Sequence, residues 1–289
     1  MFQDILVTGL VNGSAYALLA IGFSLVFGVA RIVNIAHTAF YMLAAYCLYE
    51  LLVRFGLGVP LSGVVAVLSV TLLSLICYRL VIEPVRQHEA AVLISTIALA
   101  LIFQETMLRF FGGNYLGIPS AIQGVVDVFG IVIPWQRLLI LIVAGAMLAA
   151  TWFLLYRTRL GLAIRATAND LEVANLMGMD VNRIAMVTVA ISVALAAVAG
   201  VSVAPVFVVD PFMWLAPLVT VLSIVVLGGL GSIAGSIVGA LVIGYVEAIT
   251  VFALPQGAFL KGAVALSIMV IVLLVRPEGL FGVAFEEER

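Results

Sequence analysis

The feature that most constrains this chain is its run of apolar stretches, each about 20 residues long and without polar–apolar alternation. Ile5 to Ala30 carries no formal charge at all. Only 10% of the residues are charged, against roughly a quarter in soluble domains, and 65% are hydrophobic. No globular core absorbs that much apolar surface, so the solvent is lipid. In lipid every backbone group is satisfied within its own segment or in a closed barrel. Stretches of this length without alternation are helices and not barrel strands. The expected fold is all-α, a polytopic transmembrane helical bundle of 8–9 membrane segments.

The segments follow from where the runs break. Ile5–Ala30 is the first, and Arg31 separates it from Ile32–Tyr49. Phe55–Tyr78 is the third, followed by a polar turn with Arg79, Glu83, Pro84, Arg86, His88 and Glu89. Ala90–Leu108 is the fourth and Leu138–Tyr156 the fifth; Gly112–Gln136 between them is too rich in breaks to span. Ile184–Val209 follows a long polar loop. A short piece, Pro217–Leu227, ends at Gly228-Gly229-Leu230-Gly231. Gly235–Leu254 and Phe259–Val275 complete the series, closed by Arg276-Pro277. Pro217–Leu227 is too short to cross about 30 Å of hydrocarbon unaided and reads as re-entrant or broken. The N-terminus has no basic leader, so the first helix is expected to be retained.

Basic residues near segment ends set the orientation. Nine crossings with the N-terminus outside put Arg31, Arg79, Arg86, Arg157, Arg159, Arg165, Arg183, Arg276 and Arg289 on the cytoplasmic side. Arg54, Arg109, Arg137 and Lys261 then face outward. Small residues recur at packing intervals, at Gly9 and Gly13 and at Gly231, Gly235, Gly239, Ala240 and Gly244. They permit close backbone approach in lipid. Cys47 and Cys77 lie inside apolar runs and read as ordinary packing residues, not a disulfide.

The motifs of soluble chemistry are missing. There is no GxxxxGK[ST] phosphate loop, no HExxH and no CxxC pair, and no basic surface suited to nucleic acid. The chain reads as a non-enzyme with no cofactor and no metal of its own. Polar residues inside the membrane are the functional candidates. These are Asn12 with Ser14 and Tyr16, Asn34 with His37, Glu105 with Arg109, and Glu247. Glu105 and Arg109 are spaced as an i,i+4 pair. Glu247 is placed either on a path or in a structural pair with Lys261. Asn12 and Asn34 are placed either on a path or as hydrogen-bonding ties between helices.

The long polar interval Tyr156–Arg183 holds four of the thirteen basic residues. Asn169-x-x-Glu172 resembles a capping box. Leu171, Ala174 and Met177 follow at helical spacing, and Gly178 is placed to end the helix in a left-handed conformation. Two turns are unstable alone, so the apolar face needs a surface. Its acidic Asp170 and Glu172 suit docking on a partner protein better than lying on lipid. Asp180 and Asn182 then cap the next span.

Five motifs, in order, carry a resemblance over essentially the whole chain: NGSAYALLAIGFSLVFG (12–28), VNIAHTAFYMLAAY (33–46), TRLGLAIRATANDLEVANLMGMDVNR (158–183), GGLGSIAGSIVGALVIGYVE (228–247) and RPEGLFG (276–282). The chain resembles the integral membrane permeases of ATP-binding cassette importers for branched-chain amino acids, the Liv type, whose relatives import urea, amides and aromatic acids. It departs from the usual pattern at Thr38, Ala44, Thr220 and Ala234, some of which fall along the expected path. The resemblance implies one permease domain over 1–289 in a bacterial inner membrane, with a cytoplasmic coupling loop at 157–183. Asn169, Asp170, Leu171, Glu172, Ala174, Met177 and Gly178 would engage an ATP-binding subunit. It also implies two ATP-binding subunits, with ATP bound there, and a paralogous permease chain or a second copy. A periplasmic solute-binding protein would meet Gly112–Gln136 and Asp210–Leu215. Asn12, Asn34, His37 and Glu247 are the expected translocation-path residues. The rival reading, a self-sufficient secondary transporter, needs paired broken helices. The sequence shows one break, at Gly228, and none at a matching place in the first half.

Overall fold

The computed structural model describes residues 2–128, 131–276 and 278–281. The expectations placed on Pro277, Gly282 and Arg289 fall outside them. The described residues form α1 (Phe2–Ala30), α2 (His37–Tyr49), α3 (Val59–Cys77), α4 (Glu89–Phe111), β1 (Val125–Val128), β2 (Ile131–Pro134), α5 (Trp135–Arg157), α6 (Arg159–Asn169), α7 (Leu171–Leu176), α8 (Val181–Val203), α9 (Leu215–Gly228), α10 (Ile233–Ala253) and α11 (Gly257–Val275). A turn of π-helix extends α2 to Arg54, and a π turn and a 3-10 turn extend α3 to Val85. Among the described residues, seven helices are long and apolar enough to cross a membrane; α2 and α9 are apolar but shorter, and α6 and α7 are shorter still. The protein is a polytopic helical membrane protein, as its composition requires.

α1 is the axis of the bundle. It packs against α10, α8, α5 and α9, and every residue from Ala17 to Val26 is buried. A helix that is apolar all round is expected at such a position. α11 is the opposite case, with only Gly257 and Ala265 buried and the rest of its apolar surface left for lipid. α1 and α10 run antiparallel and touch backbone to backbone. A Cβ on Gly13 would stand 3.1 Å from the Leu241 Cα, and one on Gly244 would run into the Gly13 backbone. The glycine spacing seen in the sequence is therefore divided between two neighbours. Gly9, Gly13 and Gly244 close the α1–α10 crossing, while Gly235 and Gly239 meet Gly228 and Ile224 of α9.

Two joints fix the ends. At the end bearing Arg86, Arg157 and Arg183, here called inner, Arg86 Nη1 donates to Asn182 Oδ1 at 3.3 Å. The Leu280 and Phe281 amides donate to the carbonyls of Leu227 and Gly228. At the outer end, Leu116 and Val209 exchange both backbone hydrogen bonds at 2.9 Å, and Arg137 Nη1 donates to Thr8 Oγ1 at 3.4 Å. The Gly112–Gln136 interval does not span, as expected; it carries the β1–β2 hairpin, with Val125 opposite Pro134.

The structure corrects the second segment. Ile32–Tyr49 reads as one apolar segment interrupted only by Asn34 and His37, but α2 starts only at His37. The chain reverses at Arg31 (φ 52°), and residues 31–34 run without helical structure back into the bundle. Ile32, Asn34 and Ala36 of this connection are nonetheless buried. Irregular backbone is tolerated at membrane depth when protein covers it. The connection before α9 is also non-helical, and Val209 and Trp214 there are buried. Trp214 Nε1 donates to Gln104 Oε1 of α4 at 3.0 Å. A second break therefore does exist in the first half of the chain. Hydropathy hid it because its residues are as apolar as those of a helix.

Candidate functional site

The outer half of the bundle holds a half-open chamber of about 400 Å³, lined by α1, α2, α5, residues 203–217 and α11. Its wall is mostly apolar, including Leu19, Ile140, Val203, Phe207 and Met213. Four polar side chains break it: Asn12, Tyr16, Tyr41 and Lys261. Asn12 and Tyr16 are four apart on α1 and share a face. A second chamber of about 240 Å³ adjoins it through Val11, Asn12, Phe207 and Lys261, and adds Thr8 and Arg137. Among the described residues, no carboxylate lines either chamber.

The acidic group lies one layer behind. Glu247 is 1% exposed. Its Oε2 accepts from the Tyr16 hydroxyl at 2.9 Å and its Oε1 from Thr220 Oγ1 at 3.2 Å. Local geometry explains the first bond. Tyr16 and Glu247 each stand three residues beyond the Gly13–Gly244 crossing in their own antiparallel helices. Side chains lean toward their helix N-terminus, so both lean back over the crossing and meet. The expected alternative, an ion pair of Glu247 with Lys261, is not formed; the two interact only through space. Glu105 likewise forms no ion pair with Arg109 among the described residues, and accepts instead from Gln104 Nε2 at 3.4 Å.

The other path candidates sit elsewhere. His37 is fully buried. Its Nε2 lies 3.1 Å from the Leu19 carbonyl and its Nδ1 3.3 Å from Ser192 Oγ, with Phe23 edge-on. It pins the start of α2 to α1 and α8 and lines neither chamber. Asn34 is 2% exposed, and neither its amide oxygen nor its nitrogen has a hydrogen-bond partner among the described residues. It lies in the non-helical connection before α2, away from both chambers. Of the four path candidates, the structure brings together Asn12 and Glu247, through Tyr16. Lys261, Arg137 and Thr220 belong to the same group but were not singled out as path residues. A signal was available: Arg137 and Lys261 are two of the four cations assigned to the outer side, against the general trend.

The inner end carries the second constellation. One capped helix was expected at Asn169–Gly178, and the structure has two. α6 is capped by Thr158, whose hydroxyl accepts from the Gly161 amide at 3.0 Å. Gly161 has no side chain because Leu154 and Leu155 of α5 occupy that space. Arg165 fastens the other side: its Nε donates to the Leu155 carbonyl at 3.1 Å, and its guanidinium lies 4.8 Å from the Tyr156 ring centroid. Asn169 is the last residue of α6 and does not cap α7. The cap is Asp170, whose Oδ1 accepts from the amides of Glu172 and Val173 at 2.9 and 3.0 Å. Asp170 turns extended between the two helices, which points its carboxylate at the free N–H groups of α7.

α7 ends as expected. Gly178 takes φ 82° and its amide donates to Asn175, while the Met179 amide reaches the Ala174 carbonyl. Its apolar residues do not share one fate. Ala174 faces inward at 3% exposure and Leu171 is partly covered, whereas Val173, Leu176 and Met177 are 53%, 85% and 76% exposed. Asp180 caps α8 through the Arg183 amide and pairs with the Arg183 side chain at 2.9 Å. Asn182 is not a cap; it receives the bond from Arg86.

Residues 5–273 match the family described as the branched-chain amino acid transport system permease component. The chain is 34% identical to the high-affinity branched-chain amino acid transport system permease protein BraD of Pseudomonas aeruginosa, over 96% of this chain and 94% of that protein. It is 32% identical to LivH of Escherichia coli, over 97% and 96%. It is 28% identical to a probable LivH of Methanocaldococcus jannaschii, over 98% and 93%. In fold it resembles PsaBC from Streptococcus pneumoniae, solved in complex with Fab, with a TM-score of 0.55, 15% identity, and 96% and 94% of the two chains covered.

Proposed function

We propose, from the premise that this chain belongs to the branched-chain amino acid transport permease family, that it is the membrane subunit of an ATP-driven importer of branched-chain amino acids in a bacterial inner membrane. It performs no covalent chemistry. Two ATP-binding subunits supply the energy and hold the ATP, and a periplasmic binding protein delivers the solute at the outer end. A paralogous permease or a second copy of this chain completes the path. Residues 157–183 are the coupling segment of a single permease domain.

The observation that carries this reading is the state of α7. Val173, Leu176 and Met177 form an apolar knob of two turns, capped at both ends, and they stand exposed beside α6, which is itself fastened to the end of α5. Helices this short are held by what they pack on. Only Ala174 and Leu171 pack on the chain's own body, so the remaining face suits a groove in a soluble subunit. When that subunit moves on binding ATP, the push passes through the α5–α6 fastening and the Asp180 cap into α5 and α8, and biases the bundle between outward and inward states.

The test is recovery of partners from native membranes in mild detergent. Tagged chain should bring down ATP-binding subunits, and Leu176→Glu should lose them while the bundle stays folded. Recovery of the chain alone, with solute transport in liposomes that contain nothing else, would establish a secondary transporter instead. Leu176→Glu is the clean variant. Ala174→Glu would also unseat α7 from its own chain.

A further inference from the structure

We infer that the outer chamber is a two-pole receptor for a free α-amino acid, with Lys261 as the carboxylate pole and the Tyr16 hydroxyl, backed by Glu247, as the ammonium pole. This rests on the importer reading above and goes beyond it by assigning the two ends of the solute.

Lys261 is the chain's sole lysine, and it lines both chambers where they join. It forms no ion pair among the described residues, and no carboxylate lines the space it faces. A cation in a mostly apolar wall, with no carboxylate in contact and Glu247 acting on it only through space, attracts an anionic group from the solute. Asn12, in the same two walls, adds an amide donor to the carboxylate.

Tyr16 supplies the opposite pole. Its proton is donated to Glu247 at 2.9 Å. Its oxygen therefore offers only lone pairs to anything else, which suits the N–H groups of an ammonium and not a carboxylate. The Glu247 charge is shielded from contact but acts through that hydroxyl. Thr220 holds the other carboxylate oxygen, so the pole is fixed in direction. In the same wall, Leu19, Ile140, Val203 and Met213 present apolar surface that suits a branched side chain. The volume of about 400 Å³ is ample for one small amino acid.

The test uses three probes. Leucine has both charged groups, 4-methylpentanoate lacks the ammonium, and 3-methylbutylamine lacks the carboxylate. The readout is protection of Phe207→Cys from a thiol reagent in the assembled complex, with Cys47 and Cys77 replaced by alanine. Leucine should protect the unmodified site. Lys261→Gln should raise the half-protecting concentration of 4-methylpentanoate by about 10-fold or more and leave that of 3-methylbutylamine within about 2-fold. Tyr16→Phe should do the reverse, and Lys261→Arg should restore protection by 4-methylpentanoate. The reciprocal pattern excludes a general packing defect, which would weaken both analogues alike. Equal effects on the two analogues, or no protection by leucine, would overturn the assignment. Neither result depends on turnover, so it is separate from a failure of the complex to import amino acids, which would sink the importer reading itself.

Discussion

At the outer end the polar groups are recessed and the surface around them is greasy. Asn12, Tyr16 and Lys261 sit inside apolar walls, with Glu247 a layer deeper. At the inner end the arrangement is inverted. Asp170, Asp180 and Arg165 are spent on caps and fastenings, while Leu176 and Met177 are displayed to solvent. A recessed charge recognises a small solute, because the solute must shed its water to reach it. A displayed apolar knob recognises a protein, because only a shaped groove covers it. What joins the two is the tightly packed set α1, α8 and α10, where glycines replace side chains at the crossings.

The comparison breaks most completely if that joining set is spoiled. Gly244→Leu forces a side chain into the Gly13 backbone and costs about 3 kcal/mol through overpacking. Both ends should fail together, seen as loss of monodisperse complex on size exclusion and a lower Tm. Next in size, the pair Leu176→Glu and Met177→Glu should cut uptake about 100-fold by removing the docking surface, with leucine protection at the outer chamber unchanged. Glu247→Gln keeps the shape of the acid and removes its charge. Uptake should fall about 10-fold while the ATP-binding subunits still co-purify. Smallest is Asp170→Ala, which removes a helix cap worth about 1 kcal/mol. Uptake should fall about 5-fold, and Asp170→Asn, which still caps, should restore it.

The legible parts of the sequence were those with a strong local signal. The long helices follow from run length, and the end of α7 follows from Gly178, because a left-handed residue there leaves glycine as the natural choice. The arginine trend put Arg86 at the same end as the 157–183 loop, and the Arg86–Asn182 hydrogen bond joins those two segments. The break before α2 was hidden, since Ile32, Val33, Ile35 and Ala36 are apolar whether or not they are helical. α6 was missed because its Thr158 cap and its fastening by Arg165 depend on the end of α5. The capping residue shifted from Asn169 to Asp170 for a similar reason: α6, not expected from the sequence, runs through Asn169 and takes it out of the capping position. At the outer chamber, Asn12 and Glu247 stood out as polar groups in apolar runs. Their link through Tyr16 did not, since it depends on two glycines 231 residues apart in the chain meeting at a crossing.

The most direct test of the central claim, that the inner knob drives the outer chamber, is the labelling rate of Phe207→Cys in the full complex with hydrolysis-deficient ATP-binding subunits, with and without ATP. The expected result is a change of about 5-fold or more on adding ATP, abolished by Leu176→Glu. A rate indifferent to ATP, or an ATP response that survives Leu176→Glu in a complex still assembled, would contradict it.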